Sequence, residues 1–321
     1  MTWLVRPAAL ALTLALMTGA AAQSQYPDRP IRVITNAAGT LPDTVARIIQ
    51  PALEKSLGKP IIIENIGGAG GSISAERAAR ATPDGYTILI TGDAAMTTNV
   101  TMIEKLSYDP VKDFRAVSML IDSVNILAVH PSSPAKTVAE LVDLARKQPG
   151  KLSFASAGIG TSQHLGGELF KTMAGIDIVH VSYRSIAQST PDLLGGRVTM
   201  QFGNISAFLP HVRDGRLRGL ALSSLKRVPQ IPELATMAEL GYPGFEATAW
   251  TGMFVPAGTP EAIARTLEQH AISAVAIPEV RQKFVDLGFV VVGSTGQQFG
   301  EQVKAEIVSK GKIVKESAKP N

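Results

Sequence analysis

The chain alternates short β-branched runs with stretches of helical periodicity. This alternation restricts the possible folds more than any other feature of the sequence. The run Ile31–Thr35 predicts a strand, and the apolar residues from Val45 to Leu57 then recur at spacings of three and four, as on one face of a helix. Gly58 and Pro60 end that helix, with the glycine placed as a C-cap residue. Strands that alternate with helices in this way predict an α/β fold.

The same order continues along the chain. The uniformly apolar Ile61–Ile63 predicts a strand buried on both faces rather than an edge strand. Further strands are predicted at 86–91, 125–129, 152–155, 178–181, 198–202, 217–222 and 289–292, and further helices at 75–81, 137–147, 163–174, 187–194, 206–214, 260–277, 278–287 and 297–316. Two successive sets of these units followed by a helical tail predict two doubly wound lobes.

Residues 1–22 have the pattern of a signal peptide. Arg6 supplies the positive start, Ala8–Met17 is the apolar core, and Ala20–Ala22 offers small residues for cleavage. The apolar core is shorter than the ~20 residues of a membrane span, which makes an uncleaved anchor the weaker alternative. The mature protein is therefore expected to be exported, and periplasmic in a Gram-negative host.

Several function classes are excluded or disfavoured by composition and motif. The sequence has no Cys, which removes thiol nucleophiles and thiolate metal sites, and its net charge of +4 does not concentrate in a basic run typical of nucleic-acid binding. The five His residues are scattered, so no metal site is predicted. Gly68-Ala69-Gly70 and Gly158-Ile159-Gly160 begin like dinucleotide fingerprints, but Ile73 and Gln163 replace the last glycine, so no cofactor is expected.

Ligands of open α/β sheets bind at the carboxyl ends of strands, in loops that lead to helix N-termini. Five such loops are rich in small or hydroxylated residues: 36–43, 92–98, 156–162, 182–189 and 203–206. In the third, Gly158 and Gly160 let backbone approach a ligand, and Thr161 or Ser162 can cap the next helix. Because a helix N-terminus attracts carboxylates, this loop is predicted to bind an anion, an ordinary Gly-rich connection being the alternative.

Other residues extend the predicted site. His164, one turn into that helix, is either functional or an ordinary helix-surface residue, whereas His130 and His180 are interpreted as structural. Arg184 is either a carboxylate ligand or a surface ion-pair partner. The full set of candidate ligand-binding residues is Ala38, Gly39, Thr40, Asp43, Gly92, Ser156, Gly158, Gly160, Thr161, Ser162, His164, Tyr183, Arg184 and Asn204.

A series of segments in order along the chain resembles the Bug family, the periplasmic solute-binding proteins of tripartite tricarboxylate transporters. They are Tyr26–Ile31, Ile61–Asn65 with Gly67–Gly71, Pro83–Thr87, Tyr108–Phe114, Phe154–Leu165, Asp192–Gly196 and Phe254–Pro260. The resemblance implies a two-lobed Venus-flytrap fold with the ligand in the interlobe cleft, lobe 1 being 26–122 plus 251–321 and lobe 2 being 123–250. It also implies a receptor, not an enzyme, that acts as a monomer and delivers a small carboxylated solute to a membrane permease.

The sequence departs from the family at three places. The first-lobe loop reads Asn36-Ala37-Ala38-Gly39-Thr40 and lacks one glycine, Ser182–Ser185 replaces a Pro-Tyr-Arg-Gly segment, and Gly203-Asn204 replaces an Asp-Asn pair. Loss of that acidic group makes an amino-acid ligand less favoured than a simple carboxylate. Two other functions stay open: a sensor that presents its closed form to a signalling partner, and a secreted hydrolase that uses His164 with Ser156 or Ser162.

Overall fold

The computed structural model describes residues 26–183 and 185–317, so the predicted signal peptide and Arg184 lie outside the described residues. This part of the chain folds into two sheets flanked by helices. No helix within it combines the length and the apolar character needed to cross a bilayer.

The first sheet has six strands. They are β1 (Ile31–Thr35), β2 (Ile61–Asn65), β3 (Thr87–Gly92), β4 (Phe114–Ser123), β10 (Ala249–Pro256) and β11 (Val290–Val291). Their spatial order is β11-β4-β10-β3-β1-β2, with β1 parallel to β2 and β3, and with β10 antiparallel to both β3 and β4. The sheet is therefore mixed, not purely parallel.

Helices cover both faces of this sheet. They are α1 (Leu41–Leu57), α2 (Ser72–Ala79), α3 (Asn99–Met102), α8 (Glu261–Ala276), α9 (Pro278–Asp286) and α10 (Gly296–Ser317). Ile88 and Ile90 point to a core formed with α1, α8 and α9, whereas Leu89 points to a core formed with α2 and α10. This alternation follows from the two-residue period of a strand and gives a three-layer lobe.

The second sheet has five strands: β5 (Asn125–Val129), β6 (Ser153–Ser156), β7 (Val179–Ser182), β8 (Met200–Asn204) and β9 (Arg218–Leu222). Their order is β7-β6-β8-β5-β9, with β6 parallel to β7 and β8, and β5 antiparallel to β8 and β9. Helices α4 (Val138–Lys147) and α5 (Ser162–Ala174) cover one face, and α6 (Ile186–Leu194) and α7 (Ile205–Arg213) cover the other.

Two segments join the lobes. The chain passes from β4 to β5 through Val124, and it returns through β10, whose first residue Ala249 pairs with Ser123 at the end of β4. The two segments therefore lie side by side, as a hinge between lobes requires. Lobe 1 and lobe 2 below mean the units built on the first and second sheet.

The structure corrects one expectation from the sequence and adds two strands that the sequence patterns did not predict. Ile61–Ile63 belongs to β2, which is an edge strand, and Ile62 is 58% exposed. The prediction of a strand buried on both faces was wrong because an apolar run indicates hydrophobic side chains but does not indicate how many neighbouring strands and helices cover them. The sequence patterns did not predict β4 and β10, which pair antiparallel with each other, so the first lobe has helices on both faces of a mixed sheet.

Candidate functional site

Strand register places the predicted loops at the edge where the lobes meet. In lobe 1 the carboxyl end of β3, Gly92, pairs with Thr251 of the returning segment, and β1 runs parallel beside β3. In lobe 2 the carboxyl end of β8, Asn204, pairs with Asn125 at the start of β5, and β6 and β7 run parallel to β8. The loops after β1, β3, β6, β7 and β8 thus all lie toward the hinge.

The lobe 1 loop after β1 presents small residues. Ala38 and Gly39 are exposed, and Thr40 is half-buried at the N-cap of α1. The Thr40 hydroxyl donates to the Ala37 carbonyl over 2.7 Å, which closes the loop on itself. Pro42 occupies the first turn of α1, where its missing N–H leaves no donor unsatisfied. The first turn therefore offers a helix N-terminus to the interlobe edge.

Asp43 has an internal role. Its buried carboxylate accepts from Gly39 N at 2.8 Å, Arg47 Nε at 3.0 Å and Asn65 Nδ2 at 2.7 Å. Burial opposes ionisation, but the hydrogen bonds from Asn65, Arg47 and Gly39 outweigh it and lower the pKa of Asp43. With these partners filled, the carboxylate fixes the loop rather than facing a solute.

The lobe 2 loop is pinned at its first residue. Ser156 is fully buried at the end of β6, and its Oγ lies 2.7 Å from His180 Nε2 and accepts from Gly158 N at 3.1 Å. The Thr161 hydroxyl donates to the Gly158 carbonyl over 2.7 Å and caps α5 by accepting from His164 N. Ser162 Oγ accepts from the buried Asn125 Nδ2 at 3.1 Å. These hydroxyls hold the loop through hydrogen bonds within the protein.

The N-terminal turn of α5 leaves amides for a ligand. Ser162 and Gln163 are the first two residues of the helix, so their N–H groups have no intrahelical acceptor. Neither of these amides, nor that of Ile159, has a hydrogen-bond acceptor among the residues that the structure describes. Such an array attracts a carboxylate through its donors and the helix dipole.

His164 is buried, so the helix-surface alternative is wrong. Its Nδ1 accepts from Gly160 N at 3.2 Å, its Nε2 lies 4.0 Å from Glu168 Oε1, and its ring centroid is 4.5 Å from that of His180. Burial, with the charge of Lys171, lowers the pKa of His164 to about 4. The Gly160 N–H is thus engaged inside lobe 2.

Gly160 instead makes room between the lobes. A Cβ on this residue would lie 2.3 Å from Met102 Sδ and 3.3 Å from Thr98 Cγ2, and both of these residues belong to lobe 1. The Thr98 hydroxyl is buried without a hydrogen-bond partner among the described residues. Sequence reasoning missed Thr98 and Met102 as interlobe contacts. The only local signal was that Thr98 ends the Gly92–Thr98 loop.

The remaining candidates lie around the same edge. Gly92 ends β3, and a Cβ there would contact the Trp250 carbonyl at 3.5 Å. Tyr183 donates its hydroxyl to Asp192 Oδ2 at 2.5 Å. Asn204 bridges the hinge, because its Nδ2 donates to Ser123 Oγ at 3.1 Å and its Oδ1 accepts from Gln163 Nε2 at 3.0 Å. Arg184 lies outside the described residues.

The positions of the acidic, histidine and serine side chains bear on metal binding and on hydrolase chemistry. No group of three or more His, Cys, Asp or Glu side chains suited to a metal ion occurs within 26–183 and 185–317. The serine–histidine pairs of the hydrolase alternative do not form, since Ser156 contacts His180 and Ser162 contacts Asn125. Ser156 is also fully buried, which shields its hydroxyl from a substrate.

Two α/β lobes, joined by adjacent crossing segments and presenting strand-to-helix loops to each other, define a two-lobed solute-binding protein. Comparison with known proteins specifies the class further. The model of the tripartite tricarboxylate transporter family receptor, TctC, matches residues 45–318, and the chain belongs to this family.

Several relatives are similar to this protein over nearly the whole chain. Protein BugT of Bordetella pertussis (strain Tohama I) is 33% identical over 294 residues, covering 91% of this chain and 90% of BugT. The structure of Rpa4515 of R. palustris with adipate is 33% identical, with a TM-score of 0.79 and coverage of 90% and 97%. The structure of MatC from Rhodopseudomonas palustris with bound malate is 31% identical, with a TM-score of 0.76 and coverage of 90% and 100%.

Proposed function

We propose that this protein is an exported receptor that captures a small organic carboxylate between its lobes and delivers it to a tripartite tricarboxylate-type permease. Lobe 1 would comprise 26–122 plus 251–321 and lobe 2 would comprise 123–250, a division supported by the membership of the two sheets. Residues 1–22 would direct export to the periplasm and be removed.

The observation that carries the proposal is the pair of helix N-termini at the interlobe edge. Thr40 occupies the N-cap position of α1 in lobe 1 and Thr161 caps α5 in lobe 2, and the loops before both helices consist mostly of small residues. A dicarboxylate has two anionic ends, which two such N-termini would hold with backbone amides. The adipate and malate held by the two R. palustris proteins are dicarboxylates, which supports this class of ligand.

Gly203 supports a carboxylate over an amino acid. A Cβ at this position would lie 2.2 Å from the Phe208 ring, so the aromatic side chain fills the space that any residue larger than glycine would need. The end of β8 consequently has no acidic group at this position to pair with the ammonium of an amino acid. We therefore expect affinity for simple carboxylates to exceed that for zwitterions.

Capture would couple to closure of the lobes. A ligand that contacts both helix N-termini binds the closed form better than the open form, and so shifts the population toward closure. The absence of a side chain at Gly160, where a Cβ would lie 2.3 Å from Met102 Sδ, supports a close approach of the lobes at this point.

A thermal-shift screen tests the proposal. The mature chain is mixed with mono-, di- and tricarboxylates, aromatic acids, nicotinate and amino acids. Ligand present at 100 times its Kd stabilises the folded state by about 2.7 kcal/mol, which appears as a raised Tm. We expect dicarboxylates to give the largest shift. Absence of a shift with every solute, together with turnover of an ester or amide, would overturn the receptor role.

A further inference from the structure

A buried pair of imidazoles lies directly behind the lobe 2 loop. His164 on α5 and His180 on β7 have ring centroids 4.5 Å apart, and the Phe154 ring stacks on His180 at 4.8 Å and on His164 at 6.5 Å. Each histidine contacts a different end of the loop, His180 through Ser156 Oγ and His164 through Gly160 N. The pair thus spans the loop from its first residue to the turn before α5.

Close helix packing brings His164 to this position. A Cβ at Gly167 would lie 2.0 Å from Phe154 Cε2, and one at Gly166 would lie 3.0 Å from the Phe202 ring. The two glycines let α5 approach β6 and β8 closely, so His164, near the start of this helix, lies in the interior of lobe 2. His164 is consequently only 6% exposed.

The direction of the Gly160–His164 hydrogen bond fixes the protonation of the ring. A backbone N–H can only donate, so Nδ1 must be the unprotonated nitrogen. The proton of the neutral ring then resides on Nε2, which faces Glu168 Oε1 at 4.0 Å. A proton on Nδ1 would abolish the bond to Gly160 and release the turn that sets the direction of the neighbouring amides.

We infer that His164 is a positioning residue of the anion-binding loop: its unprotonated Nδ1 holds Gly160, and thereby aims the free amides of Ile159, Ser162 and Gln163 at the interlobe edge. This inference rests on the proposed function, and it adds to that function a dependence of capture on the charge of His164. Protonation of the ring would loosen the loop and weaken binding of an anionic solute.

The groups that surround the ring set the acidity at which this happens. His180 faces His164 from β7, and Glu168 and Lys171 face it from α5, with Glu168 paired to Lys171 at 3.3 Å. Burial, together with the charges of His164 and Lys171, lowers the pKa of His180 to about 4, although the charge of Glu168 opposes the shift. Each ring therefore disfavours a proton on the other, and the loop stays fixed at neutral pH.

The test has one arm without ligand. Long-range 1H–15N spectra of the uniformly labelled chain report which ring nitrogen of each histidine carries the proton, with the His164→Asn spectrum assigning the resonance. We expect His164 to carry its proton on Nε2 and to titrate well below the ordinary value of 6.5. A proton on Nδ1 at neutral pH, or titration near 6.5, would overturn the inference whether or not a carboxylate binds.

The second arm measures affinity for adipate and malate by calorimetry. His164→Leu keeps an apolar side chain but loses the acceptor, and we expect about tenfold weaker binding, as for one lost hydrogen bond. His164→Asn offers Oδ1 near the position of Nδ1 and should restore most of the affinity. Because Asn does not titrate, the affinity of His164→Asn for adipate and malate should fall less than that of the wild type as the pH approaches 4. Protonation of the solute weakens binding equally in both proteins.

The control is His130→Asn, since His130 follows β5 at the end opposite the hinge, and its Nδ1 lies 2.6 Å from Ser132 Oγ and accepts from Ser132 N at 3.2 Å. The affinity of His130→Asn for adipate and malate should match that of the wild type at every pH. Equal acid sensitivity of the wild type and His164→Asn, or unchanged affinity in a folded His164→Leu, would exclude the positioning role. If the wild type binds no carboxylate, the proposed function fails, and the ring spectra still decide whether His164 holds Gly160.

Discussion

Lys310 Nζ lies 2.8 Å from Asp93 Oδ2, and this ion pair ties the C-terminal helix to the residue that follows β3. Both side chains are largely buried, at 13% and 9% exposure, and Glu306 Oε2 lies 2.8 Å from the same ammonium. Burial alone would lower the pKa of Lys310, but the charges of Asp93 and Glu306 outweigh it and raise the pKa. Glu306 also accepts from Trp250 Nε1 at 2.8 Å, so the network reaches the returning hinge segment.

We expect Lys310→Met to destabilise the protein by about 3–5 kcal/mol, because removal of one partner leaves the buried Asp93 carboxylate uncompensated. Lys315→Met, at an exposed position on the same helix, is the matched control and should change the stability little. Urea unfolding followed by far-UV circular dichroism gives both free energies. Equal midpoints for the two variants would show that the network contributes nothing to the fold.

Asp122 at the end of β4 predicts a pH dependence of stability. Its Oδ1 is enclosed without a hydrogen-bond partner among the described residues. Burial, together with the charges of Glu246 and Glu306, raises its pKa to about 7, although hydrogen bonds from Thr248 and Ser123 oppose the shift. Between pH 3.8 and about 7 the folded state therefore holds a proton that the unfolded state has released.

This contribution to stability is fully present below pH 3.8 and is lost as the pH rises through about 7. Asp122→Asn, which cannot ionise, should remove the loss, so that the variant gains stability relative to the wild type as the pH rises. Urea midpoints measured across this window give the comparison. Asp143→Asn, at an exposed site on α4, should follow the wild type. Parallel curves for wild type and Asp122→Asn would contradict the assignment.

Gly167 predicts a steric limit on helix α5. Gly167→Ala would place a methyl group 2.0 Å from Phe154 Cε2, so the helix or the ring must move, at a cost of about 1–3 kcal/mol. Gly300→Ala on α10 is the control, because its Cβ would find only the Ala116 methyl at 3.8 Å. Alanine's higher helix propensity should there raise stability by roughly 0.5–1 kcal/mol. Thermal unfolding of both variants checks this: the Tm should fall for Gly167→Ala and rise for Gly300→Ala.

Thr40→Tyr predicts a loss of binding without a loss of folding. Thr40 is half-buried in the loop before α1, and a phenol ring there would project toward the interlobe edge. We expect the Tm of the unliganded protein to stay close to the wild-type value while the shift induced by a dicarboxylate disappears. Thr82→Tyr, in an exposed loop at the opposite, amino end of β3, should keep the shift. Retention of the shift in Thr40→Tyr would move the solute site away from this loop.

Local sequence features determined a large part of the fold. The three- and four-residue spacing predicted α1, and Gly58 adopts the left-handed C-cap conformation expected of it. Thr137 accepts from Glu140 N at the start of α4, as the capping pattern predicts. These features were predictable because helical period and capping depend on residues within one or two turns of each other.

The order of motifs along the chain also predicted the receptor family and the loops at the carboxyl ends of β1, β6 and β8. Ser156, Thr161 and Asn204 were selected because small polar residues follow an apolar run, a signal that is local to each loop. What each side chain contacts was not predictable in the same way. The spacing along the chain does not state which of the hydrogen-bonding groups meets a ligand and which meets the protein.

Only the tertiary structure decided those contacts. Ser123 pairs with Ala249 at the hinge, His180 contacts Ser156, and Gly160 lies close to Met102 of the other lobe. Each pairing joins residues far apart in sequence: the first two depend on which strands become neighbours in a sheet, and the third depends on how the two lobes are placed relative to each other. The sequence by itself therefore determined the elements, the caps and the loops rich in backbone donors. The packing within each lobe decided which of those donors stay free, because a hydrogen bond formed inside the protein, such as that from Gly160 N to His164, removes a donor from the cleft.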